Sequence, residues 1–507
     1  MLILGVLLST GLTTVSSPLA GAAVPKQLPG SFPAPLWVDT AGSVAISSPT
    51  VTTIGGVSVV VFASENGYLN VVDAMTGLSL PGWPEPVQLS PGVPSAIESS
   101  PTVAYLDGPS RPPSIIVGAG STYIADQQGG LVAFRADGKI RFTFHTMDVY
   151  NEWSGTSSPG PNGYDDAVFS TPAVGDITGD GQQDIVFGSY DHHLYALTPN
   201  GALVHGFPVD TQDTIWSSPA LYHVRGKKRL VDIFIGGDAS GRNGCFGGFV
   251  YDLTYRDHEP NIVWEHCETQ TIWSSPAVGS INGTGDPVVI VGTGFGETPP
   301  YRPGTDRLYA FYARTGKRVA GWPVRTAGPT FGSPAIGRLP GSNEPAVVDT
   351  SWCSSCTGVA VGSSMVYAWS GSGNLLWSDQ LAGPNDFASP VLVDLTGDGV
   401  NDVLVGSSAG LYALDGGTGA FLFMTSESLP INTCSSQNSP AIADIPGTGP
   451  ATGWHLFETC GGPKEVTLTG RLFNYPLPFA PAVPPPWPQW RDNPAHTGVA
   501  ASTFTAG

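Results

Sequence analysis

Charge is scarce in this sequence. Asp, Glu, Lys and Arg make up 12% of its 507 residues, about half the usual share. Bases are scarcer still: 21 Lys and Arg face 41 Asp and Glu, for a net charge of −20. No basic stripe is present, which argues against a nucleic-acid partner. Long breaker-free runs of Ala, Glu, Lys and Leu are also missing, which excludes a coiled coil or helical bundle. Beyond the first residues, no stretch approaches the ~20 apolar residues of a membrane span. What the chain has in quantity is Gly (66), Pro (47) and Trp (13), with 41% hydrophobic residues. That hydrophobic content excludes disorder. A folded, turn-rich, acidic β protein with a large core remains.

The first 23 residues read as a secretory signal. Leu2 to Leu8 is an apolar run, and Ala20-Gly21-Ala22 offers a small-residue cleavage site. The run departs from the pattern in having no Lys or Arg after Met1. No Cys follows it to carry a lipid anchor. Residues 24–34 then form a linker. The six cysteines are Cys245, Cys267, Cys353, Cys356, Cys434 and Cys460. An even count in an exported chain implies three disulfides. The alternative is a metal site at Cys353-Ser-Ser-Cys356, which lacks a second ligand pair.

A phrase recurs along the chain: Ser-Pro, once Thr-Pro, followed by a short apolar strand. Its prolines are Pro49, Pro101, Pro172, Pro219, Pro276, Pro334, Pro390 and Pro440, spaced 47 to 71 residues apart. Such a period marks a propeller or solenoid. The third unit is the clearest. Ala173 to Ile177, Asp184 to Gly188, His193 to Leu197 and Ala202 to Val209 read as four strands joined by tight turns. A four-stranded blade cannot bury both faces alone, and stacking blades around an axis does so. The expectation is an all-β, eight-bladed β-propeller of four-stranded antiparallel blades over residues 35–478. A seven-bladed ring with one degenerate unit is the competitor. Pro35 to Thr40 matches Phe207 to Thr211, so the N-terminal segment is expected to complete the last blade.

Two acidic loops join first and second strands. One runs Asp176, Thr178, Asp180, Gln182, Asp184. The other runs Asp394, Thr396, Asp398, Val400, Asp402. Each offers oxygens at positions 1, 3, 5 and 9, with a backbone carbonyl at 7 and a turn glycine at 6, as a Ca²⁺ ion requires. Matching loops elsewhere have decayed: Ser280 to Thr284 lacks the carboxylates, and Asp444 to Thr448 keeps one. Two structural calcium ions are expected.

The Ser-Pro-Ala-Val-Gly-Asp-Ile opening, the Asp-x-Thr-Gly-Asp-Gly-x-x-Asp loop and the following Asp-Ile-Val-x-Gly strand resemble the FG-GAP/VCBS repeats of integrin α-like propellers. The resemblance covers about Pro35 to Pro478 and implies that the calcium loops brace the lower face without catalysing. Thr76-Gly77…Gly82-Trp83-Pro84 and Thr315-Gly316…Gly321-Trp322-Pro323 also look like PQQ-type propeller repeats. The tail, residues 479–507, carries Trp487-Pro-Gln-Trp490-Arg-Asp-Asn-Pro-Ala-His496 after a stiff Pro484-Pro485-Pro486 spacer. It is expected to dock on the ring as a closing lid.

Every long insertion maps to the opposite rim: His145 to Phe169, Asp238 to Phe246, Phe295 to Asp306 and Ser351 to Ser363. Insertions on one face commonly mark a binding face. The cysteines map there too, with expected pairs Cys245–Cys267, Cys434–Cys460 and Cys353–Cys356. Candidate ligand contacts on this rim are Trp153, Tyr164, Asp165, Tyr190, Asp191, Trp216, Trp273, Phe331 and Phe387. Trp216 and Trp273 either contact ligand or plug the channel.

These features point to a secreted or envelope-associated, monomeric binding or adhesion module for a glycan or protein ligand. A propeller enzyme on the same ring, polysaccharide lyase or glycosidase-like or a PQQ-type dehydrogenase, is the alternative. A purely structural envelope protein is a third. No Ser/His/Asp or HExxH signature is present.

Overall fold

The computed structural model describes residues 32–41, 46–120, 128–147, 166–224, 230–239, 245, 247–294, 306–340, 342, 344–353, 362–385, 387–425, 436, 438–445, 453–461, 470–478, 480–481 and 484–500. The named elements are 32 strands, which form eight four-stranded sheets. Every strand pairing within them is antiparallel. The eight sheets are the blades of a β-propeller. Blades 1 to 7 span residues 50–86, 102–145, 173–210, 220–267, 277–325, 335–381 and 391–424. Blade 8 takes three strands from residues 441–476 and its fourth from Trp37–Ala41, which pairs with Gly470–Pro476. The expected ring closure by the N-terminal strand is therefore present, and the seven-bladed alternative is excluded. The docked chain begins earlier than Pro35: Phe32, assigned above to the linker, stacks on Phe423 at 4.0 Å. In blade 3 the fourth strand is only Val209–Asp210, because the chain from Ala202 first turns through a bridge between Leu197 and Leu203.

The second strand of each blade is almost wholly apolar and buried, as in Val57–Ala63, Asp184–Gly188 and Val288–Gly292. Neighbouring blades cover both of its faces, which explains why these strands run continuously hydrophobic rather than alternating. A Trp on or just before the fourth strand reaches to the next blade. The Nε1 groups of Trp37, Trp83, Trp264, Trp322 and Trp377 donate to the carbonyls of Ala74, Ala136, Ala313, Gly371 and Gly416, at 2.8–3.3 Å. The receiving turn presents a glycine. At Gly316 (φ 66°) and Gly419 (φ 74°) an added Cβ would lie 2.8 and 2.5 Å from the Trp264 and Trp377 rings. Only glycine meets both the left-handed backbone and the close approach.

The Ser/Thr-Pro phrase has its own structural role. In each blade the backbone N–H of this Ser or Thr donates to the hydroxyl of its counterpart in the next blade. The chain runs Ser48 to Ser100, Thr171, Ser218, Ser275, Ser333, Ser389, Ser439 and back to Ser48, with distances of 2.7–3.1 Å. This closed ring of eight hydrogen bonds is buried around the axis. It requires a hydroxyl at every position, and the following Pro enters the strand without a donor to satisfy.

Below this ring the tail circles the axis. Pro486 lies against Gly337 of blade 6. The amide of Leu392 (blade 7) donates to Trp487 O at 3.1 Å and that of Ile442 (blade 8) to Pro488 O at 2.8 Å. Val51 N (blade 1) donates to Gln489 Oε1 at 3.1 Å. Val103, Val174, Leu221 and Val278, in blades 2 to 5, donate to the carbonyls of Pro494, Ala495, Thr497 and Gly498 at 2.8–3.2 Å. Each donor is the same residue of its blade, the second after the proline. Fifteen residues of tail thus touch all eight inner strands in ring order. The inner edge of a blade is an open edge with unpaired N–H groups, and the tail pairs them.

Candidate functional site

Three regions hold the residues singled out by sequence: the acidic loops, the insertion rim and the axis between them.

In the loop of blade 3, Asp176 accepts the amides of Gly179, Asp180 and Gly181 at 2.7–3.1 Å. Asp184, at the start of the second strand, accepts the amides of Ile177 and Thr178 and the Thr178 hydroxyl, each at 3.1 Å. Blade 7 repeats the arrangement. Asp394 accepts from Gly397, Asp398 and Gly399 at 2.6–3.1 Å, and Asp402 from Leu395 and Gly416 at 2.9 and 3.2 Å. Asp180 and Asp398 accept from the amides of Gln182 and Val400. Burial pushes Asp184 up to about 6 and Asp402 up to about 8, with Asp180 and Asp398 adding repulsion. The Thr396 hydroxyl is buried and has no hydrogen-bond partner among the described residues. Among the described residues no three His, Cys, Asp or Glu side chains converge on one point. The donors present are hard oxygens, the chemistry that suits Ca²⁺.

The decayed loop of blade 5 makes an informative comparison. Its glycines Gly283 and Gly285 take φ of 67° and 78°, as Gly179 and Gly181 do at 74° and 89°. Ser280 Oγ accepts from Gly285 where Asp176 accepts from Gly181. The turn therefore forms without a carboxylate at its first position.

On the opposite rim, Trp153, Tyr164 and Asp165 lie outside the described residues, as do Cys356 and Cys434. The described aromatic candidates converge on the axis. Trp216 stacks on Trp273 at 4.4 Å and meets Tyr190 at 4.8 Å and Phe169 at 4.9 Å. Trp273 stacks on Phe331 at 4.9 Å, and Phe331 meets Phe387 at 5.8 Å. Together they cap the mouth of the channel. Tyr190, Asp191 and Phe331 are buried, and Trp216, Trp273 and Phe387 half-buried. Asp191 is tied into the fold: it accepts from the amides of Met147 and His193 at 2.9 and 3.1 Å and from the Tyr195 hydroxyl. Burial lowers neighbouring His192 to about 4.

Between cap and tail the axis holds a cavity of about 30 Å³, lined by five members of the hydroxyl ring, Glu98, most of the aromatic cap and Trp490. Trp490 Nε1 donates to Thr171 Oγ1 at 3.3 Å. Two tail residues lock in alongside. Arg491 is buried, has no ion-pair partner among the described residues and donates to the carbonyls of Pro219, Pro276 and His496. Burial pushes it down to about 9. His496 sits between the carbonyls of Trp490 and Pro101, each at 2.9 Å, and burial lowers it to about 4.

The Cys245–Cys267 disulfide is formed as expected. Cys353 and Cys460 are also disulfide-bonded, with partners outside the described residues.

Among solved structures the chain is similar to the Dos1 propeller, with a TM-score of 0.52 and 11% identity over 88% of this chain and 95% of that one. It is similar to BamB from Moraxella catarrhalis, with a TM-score of 0.50 and 13% identity over 88% and 98%. The computationally designed Ika8 protein gives 0.50 and 12% over 88% and 100%. These likenesses share the fold. No family model matches the chain, and no curated protein matches it in sequence.

Sequence reasoning missed the hydroxyl ring and the tail's circular path. The first had a signal: a hydroxyl stands before the proline in all eight units. The second had none beyond the polar run Gln489 to Thr497 in a Pro- and Trp-rich tail.

Proposed function

We propose that this protein is an exported, calcium-stabilised β-propeller that serves as a binding or adhesion module, carrying a glycan or protein ligand on its outer surfaces. The observation that carries this reading is the filled axis. A quinone-dependent propeller dehydrogenase needs room there for a flat, fused-ring cofactor. Here the aromatic cap, the hydroxyl ring and Trp490 leave about 30 Å³, enough for a water or two. Ligands then have the rims and faces.

Calcium belongs to this reading for two reasons. Asp184 and Asp402 are buried carboxylates that, among the described residues, accept only from backbone amides and the Thr178 hydroxyl, which is costly unless an ion or protons compensate. The blade 5 loop forms the same turn without a leading carboxylate, so turn geometry does not call for the acids. Asp176, Thr178, Asp180 and Asp184, with the carbonyl of Gln182, would hold one ion. Asp394, Thr396, Asp398 and Asp402, with the carbonyl of Val400, would hold the other. These loops support an affinity with FG-GAP/VCBS propellers, and the strand-four Trp contacts add PQQ-repeat character. The disulfides support an oxidising, extracytoplasmic address.

The reading is tested with purified protein on a glycan array, in calcium and in chelator. Binding in calcium that chelator abolishes supports it. Release of new reducing or unsaturated ends from a bound polysaccharide overturns it in favour of an enzyme.

A further inference from the structure

The lower face carries a cleft of about 1100 Å³ between blades 2 and 3, at the upper end of the range for ligand pockets. Val103, Ala104 and Val174 form its floor. One wall is the Tyr105–Pro112 loop. The other is Gly181–Gln183, part of the acidic loop of blade 3, with Asn200 beside it. Asn493 to Ala495 of the tail close the inner end.

The chemistry of these walls is specific. Tyr105 is an aromatic ring left 42% exposed. The amide side chains of Gln182 and Asn200 also line the cleft, each of a type able both to donate and to accept, while the Asn493 amide is bonded to Asp492 and Thr497 within the tail. Charge on the cleft is biased. Asp107 is held by Arg141, which donates to both of its oxygens at 2.5 and 2.7 Å and to Pro199 O at 3.0 Å. Arg141 holds the Asp107 carboxyl below its ordinary range, and Arg111 and Arg135 act on it from further off. Arg111, which lines the cleft, is thus a further guanidinium within electrostatic reach of a carboxylate already paired by Arg141, on a chain with net charge −20. Arg111 is exposed on the cleft wall.

We propose that this cleft binds an acidic oligosaccharide through a hexuronate residue. The sugar ring lies on Tyr105, whose apolar face suits the C–H face of a pyranose. Arg111 pairs with the uronate carboxylate, for which a guanidinium is the fitting partner. The amides of Gln182 and Asn200 bond the hydroxyls. Because Gln182 belongs to the acidic loop, calcium there would offset Asp180 and hold this wall. The proposal rests on the binding-module reading and deepens it by naming a ligand class and a face.

Calorimetric titration with a hyaluronan hexasaccharide, against neutral N-acetylchitohexaose, tests it in the full-length protein with calcium present. The acidic probe should bind at least tenfold more tightly, and more weakly as salt rises. Tyr105→Ala and Arg111→Ala should each weaken it at least tenfold, and Arg111→Ala should erase the preference over the neutral probe. Arg325→Ala, an exposed charge in blade 5, serves as the control and should bind as wild type. Circular dichroism and melting confirm that the variants fold. Failure of wild type to bind the acidic probe overturns the proposal, as does unchanged binding in both cleft variants. A different glycan bound on the array, indifferent to Tyr105→Ala and Arg111→Ala, would sink the cleft and leave the general reading standing.

Discussion

The amide of Ser439 donates to the hydroxyl of Ser48 at 3.0 Å, across 391 residues of sequence. This bond joins blade 8 to blade 1 and completes the hydroxyl ring. Ser48→Ala removes the acceptor and leaves a buried amide unpaired. The expected cost is about 1–3 kcal/mol, measured by denaturant unfolding. Ser48→Thr keeps the oxygen and should cost much less, since Thr171 already fills that place in blade 3. Equal losses for both variants would show that the hydroxyl is not what matters.

The tail should act as a separable clamp. Truncation after Pro478 removes the seven bonds donated to the tail by inner-strand amides, at about 1 kcal/mol net apiece, together with the bonds of Trp490, Arg491 and His496 to the ring and the packing of Trp487 and Trp490. The melting temperature should fall by many degrees. A synthetic peptide covering residues 484–500 should restore it in a concentration-dependent way, because it binds the folded ring and not the unfolded chain. A truncated protein that melts like the full chain would remove the clamp.

Calcium should change the sign of the pH dependence. Asp184 and Asp402 have folded-state values raised to about 6 and about 8. Without calcium the folded form therefore binds more protons than the unfolded chain between about pH 4 and 8. Their contribution makes stability fall as pH rises through that window. Glu458 and Asp492, each raised to about 7 by burial, act in the same direction. His192 and His496, lowered to about 4 by burial, work oppositely: their neutral forms favour folding, and that benefit is lost as pH drops from about 6.5 to 4. Calorimetry in chelator and in calcium isolates the loops by difference. Calcium should raise the melting temperature more at pH 8 than at pH 5. Asp184→Asn with Asp402→Asn should abolish that difference.

The Cys245–Cys267 bridge closes a loop of 22 residues. Replacing both by Ser should destabilise by about 3 kcal/mol through the unfolded chain's regained freedom. Urea unfolding with matched reduced controls measures it.

Much of the ring was legible in the sequence because each blade repeats a local rule. Short apolar strands, Gly turns and a proline at each strand entry state the blade count, and Trp37 in a strand-four phrase states the closure. The acidic loops of blades 3 and 7 were readable as a repeated turn motif for the same reason. The aromatic rim was legible only in part. Sequence brought Trp216 and Trp273 to the same rim, but not the direction of their rings. That depends on how eight inner strands crowd one axis, where aromatic rings meet one another before they meet solvent. The cleft beside Tyr105 had no linear signal. Its walls come from blade 2, blade 3 and a tail segment almost 400 residues later.

The circular tail has a consequence for biosynthesis. Segment 486–500 is translated after all eight blades, and it contacts blades 6, 7 and 8 before returning to 1 through 5. The strand at Trp37–Ala41 likewise waits for Gly470–Pro476. Neither seam can close on an interrupted chain. This late-made segment therefore reads out whether every blade is present and in order, and a polypeptide lacking any one of them has no complete track for it to follow.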